Sequence, residues 1–227
     1  MPVAVVIAGV VIAGAIFASN RTLLAPVGVA DSTAPTAEAP DISKVKTDGE
    51  PFIGNPTAPV TILYWYDYQC PFCQRHEQTA MLQIIKEYVD TGKVKVVFKD
   101  YQFLGPDSQT AGLASRAVWE TAPSKFYEWH AAMYDKQDEE NSGWGSKADV
   151  LALTKTVLGA ADASKVEQLM DSSEAAYQSD MDADKAEGSA LGVNGTPGTI
   201  IGTQLISGAQ PYTVFKQAID SALKSKN

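Results

Sequence analysis

The distribution of apolar and polar residues divides the chain into several segments, and the first of them is an uninterrupted apolar run. Residues 2–19 include no charged side chain and are mostly aliphatic. A helix rises about 1.5 Å per residue, so this segment is nearly as long as the ~30 Å hydrocarbon core of a membrane is thick. The pattern predicts a transmembrane anchor or a secretory signal over residues 1–19.

These two interpretations differ in whether the segment is removed. Small residues at 28–30 fit a signal cleavage site, but no Lys or Arg precedes the apolar run, as the basic region of a signal would require. We therefore favour an uncleaved, single-pass anchor and keep the cleaved signal as the alternative. Residues 20–50 are rich in Ala, Pro, Ser and Thr and are predicted to be a flexible linker.

After the linker, the apolar pattern changes from strand to helix and back to strand. Residues 59–66 are an uncharged, β-branched and aromatic run, which predicts a strand buried on both faces. Residues 74–91 contain no Gly or Pro and carry an apolar stripe at helical spacing. Residues 94–101 alternate sufficiently to predict a second strand. The three segments together predict a βαβ unit with a parallel pair of strands.

The rest of the chain changes character again. From residue 107 to about 187 it is rich in Ala, Leu, Lys, Asp and Glu with apolar stripes at helical spacing, which predicts a block of helices. Residues 199–201 and 204–206 then predict a β-hairpin. Residues 212–223 are predicted to close the chain as an amphipathic helix.

Composition and charge narrow the classes of protein. With 45% hydrophobic and 20% charged residues, the chain has the composition of an ordinary globular protein. The 18 Lys and Arg residues against 27 Asp and Glu give a net charge of −9, which argues against a nucleic-acid partner. Two cysteines are too few for a disulfide scaffold, so their significance must lie in their chemistry.

The two cysteines form a Cys-Pro-Phe-Cys sequence where the first predicted strand passes into the predicted helix. This places Cys70 at the helix N-cap and Pro71 in the first turn, where its missing N–H is not needed. The helix N–H groups and dipole then favour the Cys70 thiolate, which is the attacking species in thiol–disulfide exchange. We predict that Cys70 is the nucleophile and that Cys73, one turn later and more buried, is the resolving cysteine.

Two other interpretations of the cysteine pair are weaker. A zinc site needs four ligands, and beyond the two cysteines the chain offers His76, one more histidine at 130 and no further cysteine. We therefore expect no metal. A purely structural disulfide would not require the N-cap position or Pro71.

Several segments are similar to those of the DsbA family of thiol–disulfide oxidoreductases. They are residues 52–63, the Asp67-Tyr-Gln-Cys-Pro-Phe-Cys73 motif, residues 126–130 and residues 193–201. The resemblance extends from about residue 51 to the end of the chain. It implies an α/β, thioredoxin-like fold with an inserted helical domain, preceded by the apolar segment and linker. The implied boundaries are 51–105 and 188–227 for the two parts of the thioredoxin-like core and 106–187 for the insertion.

The resemblance also implies a set of residues that support the cysteines. The bond between Thr196 and Pro197 is expected to be cis and to pack against the cysteine pair, where Thr196 presents its backbone to an extended substrate. Pro71 and Phe72 complete the active-site turn. Phe72 stands beside Cys73 where the strongest oxidants of the family have histidine, so we expect a higher Cys70 pKa and a milder oxidant.

The family often carries a buried acid six residues before the nucleophile, a position that Tyr64 occupies here. Asp67 is a candidate substitute for that acid, and Lys99 is a candidate charge partner, although strand alternation is equally consistent with either side chain facing solvent. His76 is a further candidate for tuning the thiolate, but a polar position on a half-exposed helix is the preferred interpretation.

The function implied by the resemblance is an extracytoplasmic oxidase that donates the Cys70–Cys73 disulfide to reduced polypeptides. A membrane quinone-linked partner, similar to DsbB or to vitamin-K-epoxide reductase, is implied as its oxidant. We expect no cofactor. We also expect a monomer, because no segment is available for the dimerisation domain that isomerases usually have. The same residues would serve a reductase or isomerase at a lower potential, and a redox-inert peptide-binding or chaperone module is the alternative outside enzymes.

Overall fold

The computed structural model describes residues 40, 42 and 45–226 of the 227-residue chain. The anchor or signal predicted over residues 1–19, and most of the predicted linker, lie outside these residues. Within the part that is described, no helix is both long and apolar enough to cross a membrane.

A mixed five-stranded sheet forms the centre of the fold. Its strands are β1 (Phe52–Gly54), β2 (Val60–Tyr66), β3 (Val94–Asp100), β4 (Gly198–Ile201) and β5 (Gln204–Ser207). The spatial order is β1-β3-β2-β4-β5, in which only β2 and β3 are parallel neighbours. The predicted parallel pair and the predicted hairpin, now β4–β5, are confirmed. The sequence analysis did not predict β1, which has three residues and pairs antiparallel with β3.

Seven helices complete the described part of the chain. They are α1 (residues 71–89), α2 (Pro106–Thr121), α3 (Phe126–Lys136), α4 (Lys147–Leu158), α5 (Ala160–Ser172), α6 (Glu174–Ala190) and α7 (Tyr212–Lys224). Helix α1 alternates between α-helical turns (Pro71–His76, Leu82–Ile84) and π-helical turns (Glu77–Met81, Ile85–Val89). It begins at Pro71, as predicted from the N-cap position of Cys70, because Pro can occupy the first helical turn. Helices α2–α6 form the helical block predicted between the two parts of the sheet.

The sheet is buried on both faces, as predicted for β2. Alternate residues of β2 enter two different hydrophobic cores: Tyr64 lies in the core shared with α1 and the insert, while Trp65 lies in the opposite core. The Trp65 indole donates to the carbonyl oxygen of Asp184 in α6 at 2.9 Å, so α6 covers that second face. The two faces therefore have different neighbours, and the cysteine-bearing helix belongs to the first.

A cluster of charged side chains, all buried except the partly exposed Glu187, lies beneath α6. It contains two cations and four carboxylates, namely Lys99, Arg116, Glu50, Asp100, Asp184 and Glu187. The Arg116 guanidinium lies 2.8 Å from Glu50 and 2.5 Å from Asp100, and it also contacts Asp184. The cluster joins β3, α2, α6 and the segment that precedes β1.

The proposed role of Lys99 as a charge partner of the cysteines is not supported by its position. Lys99 pairs in register with Trp65 and is fully buried, so it lies on the α6 side of the sheet. Its ammonium contacts Asp184 at 2.5 Å and Glu187 at 3.0 Å. Strand alternation alone left the direction of the Lys99 side chain open. The side chain points into the protein, because buried carboxylates compensate its charge.

Candidate active site

The two cysteines occupy the first turn of α1. Cys70 is the N-cap, with extended backbone angles (φ −80°, ψ 116°), and Pro71 follows in the first helical turn. The backbone N–H groups of Cys73 and Gln74 donate to the Cys70 carbonyl oxygen at 3.0 and 3.1 Å. Both cysteines are free thiols, and Cys70 is 4% exposed while Cys73 is fully buried. The predicted N-cap position is confirmed.

The environments of the two sulfur atoms displace their pKa values in opposite directions. A hydrogen bond from the Cys73 thiol lowers the pKa of Cys70 to about 6, helped by Thr196 and by the first helical N–H groups and opposed by burial. Burial raises the pKa of Cys73 well above its usual value, and its neighbour Cys70 adds to the effect. At neutral pH the pair therefore holds one thiolate at the edge of the protein and one thiol in the interior.

The loop before β4 approaches Cys70 from the other side. The peptide bond between Thr196 and Pro197 is cis, as expected. The Cys70 Sγ lies 3.4 Å from the Thr196 carbonyl oxygen, within reach of a hydrogen bond from the thiol. The loop thus supplies the backbone wall of the site.

The outer rim of the site carries an aromatic ring and a cation. Phe72 is 52% exposed, which is unusual for a large apolar side chain. The Arg75 guanidinium lies 5.0 Å from the centre of its ring, a cation–π distance. The rim can therefore contact the apolar side chains of an incoming polypeptide beside Cys70.

Asp67 joins the active-site turn to the insert. Its carboxylate accepts hydrogen bonds from the backbone N–H groups of Gln69, Phe103 and Leu104 (2.8–3.2 Å) and from the Ser108 hydroxyl (2.8 Å). Burial raises its pKa even though these bonds oppose the shift. All four donors belong to neighbouring loops and to α2, so the Asp67 carboxylate braces the active-site turn against these segments.

His76 is buried rather than half-exposed, which corrects the preferred interpretation of its position. Its ring packs between Tyr64 (centroids 5.1 Å apart) and Phe215 (4.8 Å). Neither ring nitrogen has a hydrogen-bond partner among the described residues. Burial lowers the pKa of His76 to about 4, so the ring is neutral at physiological pH.

We expect the His76→Phe variant to lose less folding stability than wild type when the pH falls. The unfolded chain protonates His76 below about pH 6.5, whereas the folded protein resists protonation down to about pH 4, so folding stability falls across this window. Relative to wild type, the variant should gain about 3 kcal/mol of unfolding free energy between pH 7 and pH 4. Urea unfolding at a series of pH values measures the difference, and a difference that is constant with pH would contradict it.

Residues that the sequence analysis did not single out lie close to Cys73. Glu77, one helical turn after it, is buried and contacts His130 Nε2 at 3.3 Å and the Tyr127 hydroxyl at 3.1 Å. Burial raises the pKa of Glu77, but these partners outweigh it and the net shift is downwards. The spacing of four residues from Cys73 was a usable signal for Glu77, but a charged residue on a helix ordinarily faces solvent.

His130, considered earlier only as a zinc ligand, is part of a hydrogen-bonded chain that joins the insert to the active-site turn. Its Nδ1 lies 2.8 Å from the Tyr68 hydroxyl, which in turn donates to the Ser115 hydroxyl at 3.1 Å. Over the described residues, no group of three or more His, Cys, Asp or Glu side chains is arranged to hold a metal ion.

Comparison with known proteins gives one matching family and several similar proteins. A family model described as Thioredoxin matches residues 46–221. Disulfide bond formation protein D of Bacillus subtilis (strain 168) is 29% identical over 178 residues, which are 78% of this chain and 79% of that protein.

Two solved structures extend this similarity to the fold. The crystal structure of oxidised BdbD from Bacillus subtilis is similar with a TM-score of 0.71 and 27% identity, covering 82% of this chain and 97% of that one. The thiol-disulfide exchange protein alpha-DsbA2 from Wolbachia pipientis gives a TM-score of 0.65 and 26% identity, covering 76% of this chain and 86% of that one.

Proposed function

Since the chain belongs to the thioredoxin family, we propose that it is a thiol–disulfide oxidoreductase that donates the Cys70–Cys73 disulfide to reduced polypeptides. The observation that carries the proposal is the pair of opposed pKa values: about 6 at the outer sulfur and far above the usual value at the inner one. The similarity to proteins named for disulfide bond formation and thiol–disulfide exchange supports the oxidase over a reductase or isomerase.

The reaction is two successive exchanges. A substrate thiolate attacks Cys70 Sγ of the oxidised protein, and the electron pair of the broken S–S bond moves to the Cys73 sulfur. This sulfur takes up a proton, because burial disfavours its thiolate. A second substrate thiolate then attacks the substrate sulfur of the mixed disulfide, and Cys70 leaves as a thiolate. Two substrate thiols become one disulfide, and the enzyme disulfide becomes a dithiol.

The low pKa of Cys70 favours transfer of the disulfide from the protein to its substrate. A stabilised thiolate favours the reduced protein and is a good leaving group, so the enzyme disulfide is easily reduced. At pH 7, a pKa of about 6 instead of the usual 9 stabilises the reduced form by about 1.4 kcal/mol, equivalent to roughly 30 mV. This shift is modest and agrees with a milder oxidant than those with histidine beside the resolving cysteine.

The setting of the reaction is part of the proposal. We propose that the apolar segment over residues 1–19 anchors the chain in the membrane, with the catalytic part extracytoplasmic. A dithiol enzyme must be reoxidised to act again, and a membrane quinone-linked protein similar to DsbB or vitamin-K-epoxide reductase is the partner we propose.

The reduction potential of the cysteine pair tests this function. The full-length chain, equilibrated with mixtures of reduced and oxidised glutathione, contains only these two cysteines, so alkylation of free thiols reports the pair directly. We expect a potential above about −200 mV, compared with about −270 mV for thioredoxin. A value near that of thioredoxin would favour a reductase, and a pair that does not exchange would favour a binding module.

A further inference from the structure

The connection that follows α3 contacts three consecutive residues of the active-site turn. Gln137, which ends α3, donates from Nε2 to the carbonyl oxygens of Tyr68 (2.6 Å) and Cys70 (3.2 Å). The backbone N–H of Asn141 donates to the side-chain oxygen of Gln69 at 2.9 Å. The insert therefore holds this turn from outside, independently of the hydrogen bonds within α1.

The contact on Cys70 is made to its backbone, which must remain fixed during exchange. The Cys70 sulfur bonds alternately to Cys73 and to substrate, while its carbonyl stays bonded to the first turn of α1. Correct placement of the attacking atom matters steeply, since an error of about 1 Å can cost about a hundredfold in rate. A residue that holds the backbone can thus act on the reaction without touching the sulfur.

The geometry points to Gln137 as a positioning residue for the nucleophile, whose amide holds the Cys70 backbone so that Sγ keeps its place between Cys73 and Thr196. A primary amide has two N–H donors in a planar group and suits two neighbouring carbonyl oxygens. This inference rests on the proposed function in one respect: thiol–disulfide exchange is the reaction for which Gln137 positions Cys70.

The Gln137→Met variant tests the inference, because it keeps the length of the side chain and removes both donors. Without this hydrogen bond the Cys70 backbone can shift, which moves Sγ away from the Cys73 thiol and the helical N–H groups that lower its pKa, so the Cys70 pKa should rise by roughly half a unit. The rate constant for reduction of oxidised glutathione by the reduced protein should fall about fivefold at a pH where Cys70 is fully ionised. Thiolate absorbance and stopped-flow kinetics on the full-length chain measure both without any polypeptide substrate.

Two further variants separate positioning from a general structural role. Gln78→Met is the matched control, since Gln78 of α1 donates to Asp135 of α3 at 3.4 Å and so joins α3 to α1 without contacting the active-site backbone. It should leave the titration and the rate unchanged. Gln137→Lys restores a donor of similar reach, and it should return both quantities to the wild-type values or lower the pKa further.

The inference is wrong if Gln137→Met titrates and reacts like wild type, or if Gln78→Met alters both quantities to the same extent. Should Gln137→Met fail to fold, Gln137→Lys decides: a folded variant with a wild-type titration supports the inference, and one with a raised Cys70 pKa contradicts it. A wild-type potential near that of thioredoxin would overturn the proposed oxidase while leaving the result for Gln137 intact.

Discussion

The Cys70→Ser variant is expected to lose disulfide transfer down to the uncatalysed rate. Substrate thiolates attack the more accessible sulfur, and Cys70 is 4% exposed and has the low pKa, whereas Cys73 is fully buried. A hydroxyl at position 70 cannot form the mixed disulfide on which exchange depends. The measurement is the rate at which stoichiometric oxidised protein introduces disulfides into a reduced, unfolded polypeptide.

Variants of Cys73 provide the control for this result. Cys73→Ser should form a mixed disulfide through Cys70 with a thiol-reactive disulfide peptide and retain it, because no resolving thiol remains. Its hydroxyl replaces the hydrogen bond that contributes most to the low Cys70 pKa, so that pKa should stay near 6, whereas Cys73→Ala should raise it. Transfer by Cys70→Ser, or a mixed disulfide formed at Cys73 in that variant, would contradict the assignment.

The Arg116→Met variant is expected to lose about 3–5 kcal/mol of unfolding free energy at neutral pH, more than any other variant proposed for this protein. Arg116 is buried and contacts Glu50, Asp100 and Asp184, so its removal leaves several buried carboxylates with Lys99 as the remaining cation of the cluster. A buried charge without a partner of opposite sign lowers the stability of the folded state far more than an exposed charge does. Urea unfolding of the variant against wild type measures the loss.

Two measurements distinguish the loss of charge compensation from the loss of packing. They are the pH dependence of the stability deficit and the stability of a control variant at the surface. Burial and the neighbouring Asp100 already raise the pKa of Asp184 to about 7, and removal of the cation should raise it further. Asp184 then binds its proton more tightly in the folded state, so the deficit in unfolding free energy should shrink as the pH falls from 7 towards 4. Lys125→Met breaks an exposed pair with Glu128 and should cost less than about 1 kcal/mol. An equal loss in both variants, or a deficit independent of pH, would contradict the mechanism.

The sequence predicted the parts of the fold that depend on local pattern. The charge-free run of β2, the parallel partner β3 and the N-cap at Cys70 follow from features within a few residues of each element. Helix α1 begins at Pro71, as its position after the N-cap predicts, but the sequence pattern does not reveal its π-helical turns.

The parts that were missed depend on residues far apart in the chain. The direction of Lys99 is settled by Asp184 and Glu187 in α6, which lie more than eighty residues away in sequence. Glu77 is buried because His130 and Tyr127 of α3 compensate it. Alternation and helical period indicate which residues share a face, but they cannot show which face finds a partner of opposite charge.

The separation of Cys70 from Thr196 by 126 positions has a consequence for biogenesis. The chain is synthesised from its N-terminus, so the cysteines leave the ribosome long before the loop at 196 and before β4, the strand that pairs with β2. Until then the cysteine turn lacks one wall and the central strand lacks one neighbour. A nascent chain stalled before this loop would therefore carry both thiols without the Thr196 backbone beside Cys70, and the cysteine pair acquires its full reactivity only once residues 196–201 have been synthesised and folded.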